Sequence, residues 1–95
     1  MLVYIAGKIT GDENYKAKFQ RVEKDLRSRG FKVLNPTVMP DDLDYEDYFP
    51  ICFAMIDIAD RVIVIDGRTT SKGVRREMLY AKSKNKKVEK YHERI

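Results

Sequence analysis

The chain has 95 residues, of which 43% are hydrophobic and 36% are charged, and its formal net charge is +4. This balance indicates one globular domain over residues 1–95. A membrane-spanning protein is excluded because no apolar run approaches the roughly 20 residues that a bilayer span needs. One cysteine and one histidine exclude an internal disulfide and disfavour a metal-ligand cluster, so we expect no metal ion and no cofactor.

The positive charge is concentrated in the last third of the chain, whereas residues 40–48 (PDDLDYEDY) are acidic. A basic segment can bind nucleic acid, but no zinc-finger spacing, RRM signature or basic strand with interleaved aromatic residues accompanies this one. A solvated basic face is the preferred interpretation, and nucleic acid is not an expected partner. The N-terminus shows no signal-peptide pattern. The single cysteine, which allows no internal disulfide, favours a reducing, cytoplasmic setting.

The first half of the chain predicts a strand, a helix and a second strand. Residues 2–6 (LVYIA) are typical of a buried strand, and residues 31–36 (FKVLNP) of another that ends at Asn-Pro. Between them a helix is predicted over residues 12–29, with Asp12 as its cap and Gly30 just after its end. The apolar stripe of this helix comprises Tyr15, Phe19, Val22 and Leu26.

The second half repeats the alternation. A helix is predicted from near Asp47, which places Pro50 in the first turn, where a missing N–H costs nothing. Residues 61–66 (RVIVID) are typical of a central parallel strand, residues 72–84 of a helix, and residues 86–91 of a fourth strand. The inward face of the middle helix is predicted to carry Tyr48, Cys52, Met55, Ile56 and Ala59.

Helices that alternate with apolar strands predict an α/β fold: a four-stranded parallel sheet in a three-layer sandwich, with strand order 2-1-3-4. In such a sheet, ligands bind beyond the carboxyl ends of the strands at the point where the strand order reverses. That point lies between the first and third strands. The loops at residues 7–12 (GKITGD) and 66–73 (DGRTTSKG) should therefore meet there.

The first of these loops carries Gly7 and Gly11 around Lys8 and Ile9. Glycines let a backbone turn sharply and approach a ligand closely, and the following helix offers unpaired N–H groups to an anion. The pattern matches neither the P-loop nor G-x-G-x-x-G. A plain turn capped by Asp12 is the alternative interpretation.

The second loop is more informative. Ser71 is a natural N-cap, and Gly73, a poor helix former, would lie in the first turn of the last helix, where an anion could approach the backbone. Glu77 would lie at the edge of the buried face of this helix, within reach of a ligand held at its N-terminus. A boundary glutamate paired with a lysine or arginine is the alternative.

Together, YIAGKITG, IADRVIVI and SKGVRRE resemble the nucleoside 2-deoxyribosyltransferase superfamily, and most closely a short branch known mainly as an uncharacterised domain family in bacteria and phages. The chain also resembles the deoxynucleoside 5′-monophosphate N-glycosidases, which carry Tyr-x-x-Gly-x-Ile-x-Gly and Ser-x-Gly-x-x-x-Glu. The resemblance covers nearly the whole chain and implies a flavodoxin-like fold.

The resemblance also implies a chemistry, namely attack on the N-glycosidic bond of a 2′-deoxynucleoside. By motif position, Glu77 would be the nucleophile at C1′ and Tyr4 would orient it. The Gly7–Gly11 loop, including Lys8 and Ile9, would bind the 5′-phosphate or the sugar together with Ser71 and Gly73.

Two positions depart from the family pattern. An aspartate that assists proton transfer to the leaving base is replaced here by Cys52, and a thiol is too weak an acid to take its place at neutral pH. Asp57 is the nearest candidate substitute, although it lies on a different helix face. Lys8 stands where the monophosphate glycosidases have serine, which keeps anion affinity but changes the geometry.

Two functions follow as hypotheses. The first is a deoxyribosyltransferase or N-glycosidase, and the alternative is a catalytically impaired protein that senses or sequesters a nucleotide. In both, the partner is a nucleoside or nucleotide. Because a chain this short buries a modest core, a homodimer or higher homo-oligomer is expected.

Overall fold

The computed structural model describes residues 1–9, 11, 13–65 and 71–92. In these ranges strands and helices alternate along the chain, which confirms the predicted α/β class. The elements are β1 (Leu2–Ala6), α1 (Tyr15–Ser28), β2 (Lys32–Leu34), a 3-10 turn (Pro36–Val38), α2 (Tyr45–Ile58), β3 (Arg61–Val64), α3 (Lys72–Ser83) and β4 (Lys87–Lys90).

The four strands form one parallel sheet in the order β2-β1-β3-β4, as predicted. β1 lies at the centre, and its register places Tyr4 opposite Leu34 on one side and Val62 on the other. Residues 3–6 of this strand are fully buried. A continuous apolar run is what a strand covered on both faces requires, because neither set of alternating side chains reaches water.

Alternation along the strands divides the core into two layers. Val3 and Ile5 face α1 and pack with its buried residues Phe19 and Val22. Tyr4 points to the opposite face and packs in the layer built from α2 and α3. The direction of this one side chain therefore decides which helices can meet the Tyr4 hydroxyl.

The helix termini differ in part from the prediction. α1 begins at Tyr15, after Asn14, whereas the predicted cap Asp12 lies outside the described residues. Gly30 follows the end of α1 with a φ of +90°, a left-handed conformation that favours glycine, and its predicted position is confirmed.

The predicted start of α2 near Asp47 is wrong. The helix begins at Tyr45, because the Asp44 carbonyl already accepts hydrogen bonds from the backbone N–H groups of Asp47 and Tyr48. Pro50 is consequently the sixth helical residue and lies beyond the first turn. Because proline has no backbone N–H, the helix lacks the hydrogen bond that residue 50 would otherwise donate.

The inward face of α2 also differs from the prediction. Cys52 and Ile56 are buried as expected, but Tyr48 and Met55 are only partly buried. Phe49, which the prediction missed, is buried.

None of the helices in the described part of the chain combines the length and the apolar character that a bilayer span requires.

Candidate active site

A cavity of about 450 Å³ opens beyond the carboxyl ends of β1 and β3, where residues 7–9 of the first predicted loop meet residues 71–73 of the second. Residues 66–70 of the second loop lie outside the described residues. Tyr15 at the start of α1 lines it together with four further segments. They are the loop after β1 (Gly7, Lys8, Ile9), the segment from Pro36 to Leu43, the start of α2 (Tyr45, Tyr48, Phe49), and the start of α3 (Ser71 to Val74, with Glu77).

Glu77 and Tyr4 meet at the inner end of this pocket. The Tyr4 hydroxyl donates a hydrogen bond of 3.0 Å to Oε1 of Glu77, and the two side chains are 0% and 6% exposed. The predicted position of Glu77 at the edge of the buried face is therefore too shallow. It is buried, yet it still lines the pocket, because the first turns of α3 lie along the cavity.

Burial controls the charge state of this carboxyl group. It raises the pKa of Glu77 to about 7, although hydrogen bonds from Tyr4 and Cys52 act in the opposite direction. Burial also raises the pKa of Tyr4, with the neighbouring Glu77 carboxylate as the next cause. Near neutral pH, Glu77 thus exists in both forms, whereas Tyr4 keeps its proton and remains a donor.

Cys52 lies beside this pair but does not line the pocket. Its side chain is fully buried in the same core layer as Tyr4, with the Tyr48 and Glu77 side chains nearby. Burial raises the pKa of Cys52 to about 12. The thiol therefore keeps its proton at neutral pH and cannot act as an acid for a leaving group.

The start of α3 is arranged as predicted. The Ser71 side chain caps the helix by accepting a hydrogen bond of 3.4 Å from the Val74 N–H, and Gly73 lies in the first turn. A Cβ atom at Gly73 would lie 3.6 Å from Phe49 and 3.8 Å from the Ser71 hydroxyl, so the site has room for a methyl group. With Lys72 and Lys8 on the same cavity, this end of the pocket suits an anion.

The two glycines of the loop after β1 are explained by a turn and by core packing, and not by close approach of a ligand. Gly11 has a φ of +83°, which a turn requires, and it does not line the pocket. Gly7 lines the pocket, but its missing side chain is required by packing: a Cβ atom there would lie 3.0 Å from Phe19 and 3.3 Å from Ile65. Close approach to the core, rather than to a ligand, explains this glycine.

Sequence reasoning missed the wall formed by residues 36–43. Asp41 joins this segment to the start of α1, because its carboxylate accepts hydrogen bonds of 2.6 Å from the Tyr15 hydroxyl and 2.8 Å from the Lys16 ammonium. These hydrogen bonds, first from Lys16 and then from Tyr15, hold the pKa of Asp41 below its usual value. The acidic composition of residues 40–48 marks part of this segment as distinctive. It has no periodicity from which its position beside the pocket could be predicted.

An aromatic cluster at the start of α2 forms the remaining wall. The rings of Tyr45 and Phe49 meet edge to face at 4.8 Å between centroids. The Arg76 guanidinium stacks on Phe49 at 3.9 Å, and it also forms an ion pair of 3.2 Å with Glu46. These contacts fix the first turns of α2 against α3 and leave Tyr45 half exposed beside the cavity.

A family model described as a domain of unknown function, DUF4406, matches residues 1–90. The chain belongs to the DUF4406 family. No curated protein sequence matches it closely enough to count as a relative.

Solved structures share the fold of this DUF4406 chain. The 2-deoxyribosyltransferase of Bacillus psychrosaccharolyticus is 21% identical with a TM-score of 0.74, over 100% of this chain and 77% of the other. The 2-deoxyribosyltransferase of Leishmania mexicana is 23% identical with a TM-score of 0.73, over 95% and 63%. The CMP N-glycosidase BcmB of Clostridium botulinum is 20% identical with a TM-score of 0.70, over 95% and 70%. The predicted resemblance is thereby confirmed for the fold.

The DUF4406 structure brings most of the predicted site residues together. Glu77, Ser71 and Gly73 line one pocket with Gly7, Lys8 and Ile9, and Tyr4 contacts Glu77 at its inner end. Asp57 does not join them. It is exposed, and its carboxylate accepts a hydrogen bond of 2.6 Å from Tyr80 outside the pocket.

Within residues 1–9, 11, 13–65 and 71–92, no three histidine, cysteine, aspartate or glutamate side chains lie close enough to hold an ion.

Proposed function

We propose that this chain cleaves the N-glycosidic bond of a nucleoside or nucleotide, with Glu77 as the nucleophile. The observation that carries the proposal is the buried Tyr4–Glu77 pair at the inner end of the pocket. A carboxylate that lines a cavity, receives one hydroxyl donor and has a pKa of about 7 is suited to covalent catalysis near neutral pH.

The reaction would proceed in two balanced steps. A Glu77 carboxylate oxygen forms a bond to C1′ as the bond from C1′ to the base nitrogen breaks, and the electron pair leaves with the base. Water, or the nitrogen of another base, then attacks C1′ and releases Glu77 as a carboxylate, and the proton that the attacking group gives up neutralises the departed base anion. Tyr4 holds Oε1 throughout, which fixes the direction of attack.

The opposite end of the pocket supports binding of a 5′-phosphate. Lys8 and Lys72 bring positive charge, and the start of α3 offers backbone N–H groups beside Ser71 and Gly73. Glu77 lies further along α3, where a phosphate would be repelled but a sugar carbon could lie. A deoxynucleoside 5′-monophosphate is therefore the substrate class that we propose, and Tyr45 offers an aromatic face to its base.

Cys52 favours a second candidate, a protein that binds a nucleotide without turning it over. With a pKa raised to about 12, this thiol cannot protonate a leaving base at neutral pH. In that case the pocket and its anion-binding end would serve sensing or sequestration, and the Tyr4–Glu77 pair would only recognise the sugar.

The two candidates are separated by incubating the protein with deoxynucleosides and with their 5′-monophosphates, and measuring free base by chromatography. Release of base that scales with protein concentration supports the enzyme. Calorimetric binding of the same compounds without release supports the second candidate. Neither release nor binding would contradict both.

We predict that Lys8→Ala narrows the difference in affinity between a deoxynucleoside monophosphate and its nucleoside. The wild-type preference for the phosphorylated ligand should reflect a charge-assisted contact of about 1.5–3 kcal/mol. Calorimetry on matched pairs measures it, with Lys18→Ala, at a lysine that does not line the pocket, as the control. A wild-type preference that persists in Lys8→Ala would show that this lysine does not contact the phosphate.

We further propose a homodimer or higher homo-oligomer. Ile58 on α2 and Leu79 on α3 are 65% and 70% exposed, and the two helices pack against each other on one side of the sheet. Light scattering after size exclusion should give at least twice the mass of one chain. A monomeric mass across the concentrations used in the activity assay would contradict this part of the proposal.

A further inference from the structure

The outer face of α2 is apolar, although it lies on the outside of the domain. Only three of the 14 residues of this helix are charged, whereas α1, which has the same length, has seven. A surface helix normally keeps its outward face polar, and a helix that is apolar all round is normally buried. Yet Ile51 and Ile58 on this face are 39% and 65% exposed, so the described part of the chain leaves it open to solvent.

The charges on the outer faces of α2 and α3 have opposite signs. On α2 they are all carboxylates, with Glu46 and Asp47 in the first turn and Asp57 in the last. The exposed charged residues of α3 are all cations: Lys72, Arg75, Arg76 and Lys82. Leu79 is 70% exposed among them, whereas Glu77, the acidic residue of this helix, is buried. The two faces are therefore complementary in charge, and each also presents apolar side chains.

Contacts within the chain show which residues of the two helices lie at the same height. The rings of Phe53 and Tyr80 stack at 4.1 Å between centroids, and the start of α3 at Gly73 lies against the Phe49 ring. Both residue numbers rise from one contact to the next, so α2 and α3 run side by side in the same direction. Leu79, which directly precedes Tyr80, accordingly lies level with the middle of α2.

This parallel arrangement suits a two-fold axis along the seam between the helices. Such an axis places α2 of each copy opposite α3 of the other, so that the acidic face meets the basic face twice. At matching heights, Leu79 of one copy then lies between Ile51 and Ile58 of the other. Asp47 and Arg75, both near the starts of their helices, face each other at the rim of the contact.

We propose that the outer faces of α2 and α3 form a two-fold interface with a second copy of this chain, in which α2 of each copy packs on α3 of the other. A polyanion such as nucleic acid would pair with the cations of α3, but the carboxylates of α2 would repel it and the isoleucines would stay exposed. A second copy satisfies both faces. This inference rests on the homo-oligomer proposed above and adds which surfaces meet, and it does not depend on the proposed reaction.

Leu79→Lys tests the apolar centre of the interface. Light scattering on a concentration series should give the wild type as a dimer and this variant as a monomer at the same concentrations, because a charge would be buried at the centre of the contact. Since Leu79 is exposed within one copy, helix content by circular dichroism should be unchanged.

An exchange of charges tests which helices meet. Asp47→Lys and Arg75→Glu should each raise the dissociation constant of the dimer about tenfold, because two symmetric contacts change from attraction to repulsion. An equimolar mixture of the two variants should regain the wild-type dissociation constant. In the mixed dimer one rim contact is the native pair, and the other has its charges exchanged. The matched control mixes Asp47→Lys with Arg21→Glu, which has the same net charge as Arg75→Glu but is altered on α1, across the sheet.

The outcomes separate the interface from the proposed reaction. A monomeric wild type, an intact dimer in Leu79→Lys, or a control mixture that regains the dimer as fully as the mixture with Arg75→Glu would overturn the interface. A monomeric wild type that binds a DNA duplex would assign the cations of α3 to that partner instead. If the dimer responds as expected but no nucleotide is bound or cleaved, the proposed reaction fails and the interface stands. If a monomer releases base, the interface fails and the reaction stands.

Discussion

Replacing Glu77 by glutamine should abolish turnover and at the same time stabilise the fold above neutral pH. Turnover is lost because an amide cannot act as the nucleophile at C1′. Stability is gained because a buried carboxylate must lose its hydration when the chain folds, and burial has raised the pKa of Glu77 to about 7. Glutamine has nearly the same shape and keeps an acceptor for the Tyr4 hydroxyl.

The sign of the pH dependence follows from the number of protons that each state binds. Between the unfolded pKa of 4.5 and the folded pKa of about 7, the folded state holds more protons on Glu77 than the unfolded state. The stability that this group contributes is therefore fully present below the unfolded pKa and falls as pH rises through the window. The loss is about 1.4 kcal/mol per unit, or about 2–3 kcal/mol between pH 5 and pH 8.

Denaturant unfolding of the wild type and Glu77→Gln at several pH values measures this difference directly. Other carboxyl groups with lowered pKa values, such as Glu23 and Glu89, are common to both proteins and cancel in the difference curve. The matched control is Glu13→Gln, because Glu13 is an exposed glutamate outside the pocket. If the stability difference between the wild type and Glu77→Gln changes with pH no more than it does for the control, ionisation of Glu77 does not lower the free energy of unfolding.

This titration links stability with activity. The nucleophile must be ionised, so turnover by the wild type should rise through about pH 7 as the contribution of Glu77 to stability falls. A carboxylate that is costly to bury is a common feature of catalytic sites, since the same loss of hydration makes it reactive. If the protein only binds nucleotides, the stability curve is unchanged and no rising limb of activity accompanies it.

The sheet could be predicted from the sequence because each strand is indicated by the apolar pattern of its own few residues. The apolar runs around Tyr4 and Val62 indicate central strands, and helices between them allow few parallel orders. The cap at Ser71 and the six-residue spacing to Glu77 likewise depend on one helix. These features could be predicted, and the motif resemblance added the expectation that Tyr4 lies near Glu77.

The rest of the site depends on contacts that no periodicity encodes. The segment that contains Asp41 has no regular pattern, and its place on the pocket depends on Tyr15 and Lys16, which lie 26 and 25 residues away in the chain. Phe49 was missed because the predicted inward face of α2 began at Tyr48, whereas contacts with Tyr45 and Arg76 cover the next residue. Gly7 was interpreted from its loop, whereas its reason lies in a Phe19 ring on another element.

Alanine at Gly7 and alanine at Gly73 should therefore change stability in opposite directions. At Gly7 the new methyl would lie 3.0 Å and 3.2 Å from two atoms of Phe19, whose ring is fully buried and cannot move aside freely. Overpacking of this kind typically costs about 1–3 kcal/mol. At Gly73 the nearest atoms lie at 3.6 Å and 3.8 Å, so the methyl fits, and the better helix former should stabilise α3 by about 0.5 kcal/mol.

Ligand binding distinguishes the two positions a second time. Gly73 lies in the first turn of α3 on the anion-binding end of the pocket, so its methyl should weaken binding of a deoxynucleoside monophosphate despite the more stable fold. Chemical denaturation and calorimetry on both variants measure the two effects, with Ala54→Gly on the exposed side of α2 as the control for helix propensity. If Gly73→Ala binds the monophosphate as tightly as the wild type, the ligand does not approach the start of α3, because a methyl group there would otherwise stand between the backbone N–H groups and the phosphate.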